Sequence, residues 1–95
     1  MSPVETARMR VIVGGRVQGV WFRDSTRREA LARNCSGWVR NLVSGEVEAV
    51  FEGSPVAVDS MVTWSRKGPE RALVTVVQTF TEEPEGLTGF EILAT

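Results

Sequence analysis

Residues 15–23, Gly-Arg-Val-Gln-Gly-Val-Trp-Phe-Arg, leave an apolar strand through a glycine, cross a short loop and enter a helix whose first turn carries an arginine. Glycines let a backbone turn its NH groups toward one point, and a helix start adds unpaired NH groups with a partial positive charge. Arg23 adds a forked cationic donor. Together these features suit a phosphate. The helix dipole disfavours a cation in the first turn by roughly 0.3 to 1 kcal/mol. One charge-assisted hydrogen bond, at about 1.5 to 3 kcal/mol, reverses that balance once an anion binds. The loop lacks the Gly-Lys-Ser/Thr ending of a nucleotide P-loop and is not a dinucleotide fingerprint.

Working outward, Arg8–Gly14 alternates, with Met9, Val11 and Val13 on one side, and reads as a central first strand. Phe22–Arg33 holds good helix formers without proline, and Asn34 suits the left-handed closing position. Gly37–Val43 and a strand carrying Val47, Ala49 and Phe51 flank the turn signal Ser44-Gly45, which makes a hairpin. Glu46, Glu48 and Glu52 then fall on the opposite face, expected to be solvated. The second helix is expected over Pro55–Lys67. Ser54 is its N-cap, Pro55 its first residue, and Gly68 and Pro69 lie past its end. A β-branched strand over Ala72–Phe80, an acidic loop over Thr81–Thr88 and a short strand over Gly89–Ala94 complete the chain. With right-handed crossovers, this order gives a ferredoxin-like α+β fold, a βαββαβ sandwich. Its sheet is mostly antiparallel, both helices lie on one face, and a short extra C-terminal strand follows.

The chain has 95 residues and 42% hydrophobic content, enough for one core and one domain over residues 8–95 after a short tail at 1–7. No apolar run reaches the roughly 18 residues of a membrane span, so the chain reads as soluble and cytoplasmic. One cysteine, Cys35, excludes an intrachain disulfide, and the absence of histidine argues against a zinc or transition-metal site. Carboxylates remain available for weak magnesium binding. Residues 8–40 hold eight arginines against Asp24 and Glu29, whereas residues 41–95 hold three cations against nine acids. That polarity suits a small anion steered to one region better than a long polyanion. Asn41 is the second chemical signal. It shares a strand face with Val39 and Val43, where asparagine is disfavoured and its amide needs a partner. One candidate is backbone at the hairpin shoulder; another is a ligand at the exit loop of the first strand.

Gly15–Arg23, taken with Gly37-Trp38-Val39-Arg40-Asn41, resembles the acylphosphatase family, and the element order extends the resemblance from Arg8 to Leu93. The resemblance implies a small ferredoxin-like enzyme that hydrolyses acyl phosphates to a carboxylate and inorganic phosphate without a cofactor. It implies that Arg23 binds the phosphoryl group with the amides of Gly15, Arg16, Val17, Gln18, Gly19 and Val20, and that Asn41 positions the attacking water. Leu42 departs from relatives that carry a hydroxyl there. Trp21 stands where the family varies and bears on access for the acyl group or on packing. Cys35 reads as a buried filler. A small-molecule substrate and a monomer are expected, with no membrane partner. Nucleic acid is not expected either, because the strands lack an aromatic stacking platform and net charge is −1. The alternative is a non-catalytic anion-binding or protein-interaction module of the same fold.

Overall fold

The alternation that begins at Arg8 becomes an inner strand, apolar toward the helices and cationic on the far side. In the computed structural model, which describes residues 5–95, the strands are β1 (Ala7–Arg16), β2 (Ser36–Asn41), β3 (Val47–Gly53), β4 (Leu73–Glu82) and β5 (Phe90–Ile92). They form one sheet in the order β4-β1-β3-β2-β5, antiparallel except for the β2–β5 pair. Helices α1 (Phe22–Ala32) and α2 (Pro55–Ser65) pack on one face. This is the ferredoxin-like α+β arrangement. Of the expected tail, residues 1–4 lie outside the described residues, and Glu5 and Thr6 precede β1.

The core lies between helices and sheet. Val11 and Val13 of β1, Val39 of β2, Val47 and Phe51 of β3, and Phe22 and Met61 of the helices are all buried. Trp64 of α2 packs its ring on Phe22, with centroids 5.6 Å apart. Local chemistry sets the ends of the elements. The Ser54 hydroxyl accepts from the Ala57 NH at 3.2 Å, and Pro55 opens α2. The helix stops at Ser65, two residues before the expected Lys67, and Gly68 follows at φ 69°. Helix α1 ends one residue early, at Ala32, and Asn34 takes φ 55° as expected. Strand β4 extends two residues past Phe80, because Glu82 stays paired with Arg8. Strand β5 is shorter than the segment expected over Gly89–Ala94.

The far face of the sheet corrects one expectation. Glu48 and Glu52 are buried, at 7% and 2% exposure, and Val50 between them is inaccessible. Alternation identified their face correctly but not its cover, which arginines from the neighbouring strands provide. Arg8 bonds Glu52 at 2.7 Å and Glu82 at 2.9 Å, Arg10 bonds Glu48 at 3.2 Å and Glu82 at 2.9 Å, and Arg40 bonds Glu48 at 2.7 Å. Glu52 also accepts from the NH groups of Glu85, Gly86 and Leu87 at 2.9, 3.1 and 3.1 Å. It thereby fastens the acidic loop that leads into β5. Glu46, the third carboxylate, is half-buried and accepts from the Ser44 hydroxyl at 2.9 Å.

Burial pushes the Glu52 carboxyl up, but the bonds from the Glu85 NH, Arg8 and the Leu87 NH outweigh it and hold the group below the ordinary carboxylate value. Hydrogen bonds from Arg10 and Arg8 lower Glu82 in the same direction. A carboxylate lowered in the folded state stabilises it above the unfolded value, near 4.5, and loses that contribution as pH falls through the folded value. Urea midpoints should therefore change little between pH 7 and 5 and drop steeply below about 4.5. Glu52→Gln should cost about 2 kcal/mol at pH 7 by removing the buried carboxylate from Arg8, which keeps only Glu82 and the exposed Glu85, and should flatten that acid slope. An unchanged slope would show that Glu52 is not the titrating group.

Candidate active site

Strands β1 and β2 both run antiparallel to β3, so their C-terminal ends lie at the same edge of the sheet. Val47 is the register partner of Val13 on one side and of Asn41 on the other. With strands about 4.8 Å apart, the exit of β1 and the end of β2 are separated by the width of one strand. From Gly14 onward β1 pairs only with β4, and the register slips between Gly14 and Gly15. Gly15 sits at φ 123°, and a Cβ there would collide with the Leu73 carbonyl. Gly15 and Arg16 therefore serve the β1–β4 pairing and do not line the cavity described below.

The loop proper runs from Val17 to Trp21. Val17 and Val20 plug into the core at 1% and 9% exposure. The Gln18 Nε2 donates to the Leu42 and Glu46 carbonyls, at 2.8 and 2.9 Å. Both side-chain hydrogens are used on the β2–β3 turn. Of the loop residues expected to bind phosphate, Gln18 thus has a tethering side chain and only its main-chain NH is left for an anion. Gly19 lies at φ 74°, and a Cβ added there would meet nothing within 4 Å, so its need is the dihedral and its side is open.

Helix α1 begins without a conventional cap. Trp21 occupies the N-cap position at φ 65°, ψ 24°, and makes no side-chain capping bond. A left-handed conformation is uncommon for a bulky residue and stores about 1 to 3 kcal/mol. The Trp21 carbonyl accepts from the Ser25 NH at 3.0 Å, which closes the first turn. Among the described residues, no main-chain NH from Gln18 to Asp24 donates to a protein acceptor. Those of Phe22, Arg23 and Asp24 belong to the first turn of α1 and carry its partial positive charge.

A cavity of about 310 Å³ is lined by Val17, Gly19, Trp21, Phe22, Arg23, Asp24, Asn41 and Ile92. Arg23 and Asn41, eighteen positions apart, thus share one concave site. The Arg23 guanidinium has no carboxylate or hydrogen-bond partner among the described residues. The chain does pair Arg8, Arg10, Arg33 and Arg40 with carboxylates. Asn41 Oδ1 is buried and has no partner. An orphaned acceptor of this kind costs about 1 to 3 kcal/mol, so the hairpin-shoulder explanation, in which backbone satisfies the amide, does not account for it. Asp24, about one turn from Arg27 and Arg28 on the helix, pairs with neither. Arg27 instead donates from Nε to the Phe90 carbonyl at 3.0 Å.

The sequence did not single out Ile92 as a wall residue, because its place depends on β5 docking parallel to β2. Nor did it mark Trp21 as the helix cap, since nothing in residue type announces a tryptophan at positive φ. Cys35 is buried outside this cavity, and burial pushes its thiol up, as befits a filler. Among the described residues, no group of three His, Cys, Asp or Glu is placed to hold a metal ion.

The chain matches the family model described as Acylphosphatase over residues 9–92. A protein named acylphosphatase from Gloeobacter violaceus is 54% identical over 86 residues, covering 90% of this chain and 92% of that one. One from Rubrobacter xylanophilus is 56% identical over 93 residues, covering 96% and 84%. The solved structure of an acylphosphatase from Coxiella burnetii superposes with a TM-score of 0.89 at 34% identity, covering 93% of each chain. With the fold, two sequence motifs and these likenesses in agreement, the chain belongs to the acylphosphatase family.

Proposed function

We propose that this enzyme, an acylphosphatase, hydrolyses the carboxyl-phosphate bond of small acyl phosphates by direct attack of water, and that Arg23 and Asn41 are its catalytic residues. The observation that carries the assignment is the shared cavity, lined by Arg23, whose guanidinium has no partner among the described residues, by Gly19 of the loop and the start of α1, and by Asn41, whose buried amide oxygen has no partner.

The phosphoryl group sits against Arg23 and the NH groups of the loop that Val17, Gln18, Gly19 and Val20 provide, with the α1 start behind it. A mixed carboxylic-phosphoric anhydride already has a good leaving group, so little acid or base help is required. What remains is to neutralise charge on the phosphoryl oxygens and to hold water in line. The Asn41 carboxamide orients that water. Its oxygen attacks phosphorus, the bond from phosphorus to the acyl oxygen breaks, and the carboxylate leaves with the bonding pair. Asparagine is no base, and the chain has no histidine. The water proton therefore passes to a phosphate oxygen of the substrate. The chain's own residues suffice for this scheme as one domain. The cavity is complete within a single chain, which supports a monomer, and the cytoplasm is the compartment suggested by one buried, unpaired cysteine. A non-catalytic anion sensor would need Arg23 but not an amide with an unused acceptor, so Asn41 favours catalysis.

Phosphate release from benzoyl phosphate should fall at least a hundredfold in kcat in Arg23→Ala. Arg23→Lys should be nearly as poor, because lysine lacks the planar pair of donors. A fully active lysine variant would remove forked recognition from the scheme. Asn41→Ala should lower kcat by a similar factor while inhibition by inorganic phosphate changes less than about threefold. A purely binding defect would instead identify Asn41 as part of the anion cradle. Finally, the kcat profile should show no enzyme-derived inflection near pH 6.5; one found there would require a base that the scheme lacks.

A further inference from the structure

Helix α1 carries a second, shallower depression beside the first. It has a volume of about 530 Å³ and is lined by Asp24, Arg27, Arg28, Leu31 and Ile92. Asp24 and Ile92 line both cavities, so the two are continuous along the helix. Arg27 and Arg28 have no carboxylate partner among the described residues, although four other arginines of the chain do. The Nε bond to the Phe90 carbonyl holds the Arg27 guanidinium at the β5 edge and leaves its terminal nitrogens without a partner. Arg23 and Arg27 are four positions apart and lie on one helix face, where like charges repel. The three arginines outnumber Asp24, the one acid in either cavity wall. A ligand with one charge satisfies only the Arg23 end of this arrangement.

We propose that the depression at Arg27 and Arg28 is a second anion subsite, which binds a carboxylate or phosphate carried on the acyl portion of the substrate. The proposal rests on the acylphosphatase reading and extends it to a substrate class, acyl phosphates with an anionic tail. The bound molecule places its phosphoryl group at Arg23. Its carbon skeleton crosses Ile92, the apolar residue common to both cavities, and its tail reaches Arg27 and Arg28. One helical turn of four residues separates the Arg23 and Arg27 backbones by about 6 Å along the axis, and their long side chains extend that reach. A benzene ring or a short alkyl chain between the two anionic groups is thereby accommodated. Trp21, 68% exposed, lines the first cavity and not the second. Asp24 at the junction disfavours a negative charge placed midway, so charge is accepted at the two ends and not between them.

The test compares 3- and 4-carboxybenzoyl phosphate with the corresponding methylbenzoyl phosphates, which match them in shape and lack the second charge. One added charge-assisted hydrogen bond predicts that the better carboxy substrate has a kcat/KM roughly tenfold above its methyl partner at low salt. The advantage should shrink toward unity at about 0.5 M salt as the exposed charges are screened. In Arg28→Gln, and further in the Arg27→Gln/Arg28→Gln double variant, the carboxy-to-methyl ratio should approach one. The ratio is internal to each protein, so a general loss of activity does not disturb it. The same four compounds made as non-hydrolysable acylphosphonates and bound by calorimetry should give a parallel ratio of Kd values. A wild-type ratio at or below one, or a ratio unaltered in the double variant, overturns the subsite. If instead no acyl phosphate is hydrolysed while the phosphonates keep their charge-dependent binding, the catalytic reading fails and the subsite stands.

Discussion

Two strands that share one neighbour in register hold the site together. Val47 of β3 lies between Val13 and Asn41, so any arrangement that buries the β3 core residues also brings the exit of β1 beside the end of β2. The register cannot slip by one residue, because Val47, Ala49 and Phe51 would turn away from the helices and Glu48 and Glu52 would enter the core. The position of Asn41 is thus fixed by hydrophobic burial elsewhere in the strand. The loop that leads to Arg23 needs one more restraint, since loops are free to swing. Gln18 supplies it with two bonds to the carbonyls on either side of the β2–β3 turn. A glutamate of the same shape could not donate those bonds.

The two faces of the sheet solve the burial problem differently, and the difference reaches the site. Toward the helices the contacts are apolar. On the other face Arg8, Arg10 and Arg40 lie over Glu48, Glu52 and Glu82, and the Arg10 guanidinium also stacks 4.2 Å above the Phe80 ring. This second layer matters to function through Glu52, whose bonds to residues 85–87 fix the loop ahead of β5. Strand β5 in turn presents Ile92 to the cavity and the Phe90 carbonyl to Arg27. A buried carboxylate remote from the cavity thus bears on the shape of its wall.

Much of this was legible in the sequence because the signals were local. Alternation marked the strands, Ser54, Pro55 and Gly68 punctuated the second helix, and Asn34 ended the first. The glycine-bearing loop with its arginine, and an asparagine out of place on a strand, pointed to Arg23 and Asn41, which the structure brings to one cavity. What escaped the reading depended on tertiary partners. Glu48 and Glu52 carry a surface-like pattern and are buried only because three arginines reach them from adjacent strands. Gly15 looks like part of an anion cradle, yet its dihedral is required by the bulge that pairs β1 with β4. Ile92 becomes a wall residue through the parallel docking of a three-residue strand.

Charge accounting connects the remaining features. The basic first part of the chain divides into arginines that the fold consumes and arginines that it leaves unpaired. Arg8, Arg10, Arg33 and Arg40 are held by carboxylates, and the sheet and α1 gain stability from them. Arg16 on β1 and Arg23, Arg27 and Arg28 are left without a carboxylate among the described residues, the last three along one stretch of a single helix, two of them one turn apart on the same face. The N-terminal end of that helix is already the wrong place for a cation, and its uncapped NH groups add to the field. Grouping unpaired cations there costs the unliganded protein stability. It is the arrangement expected of a surface whose partner is an anion, and the binding of such an anion relieves the repulsion along the helix.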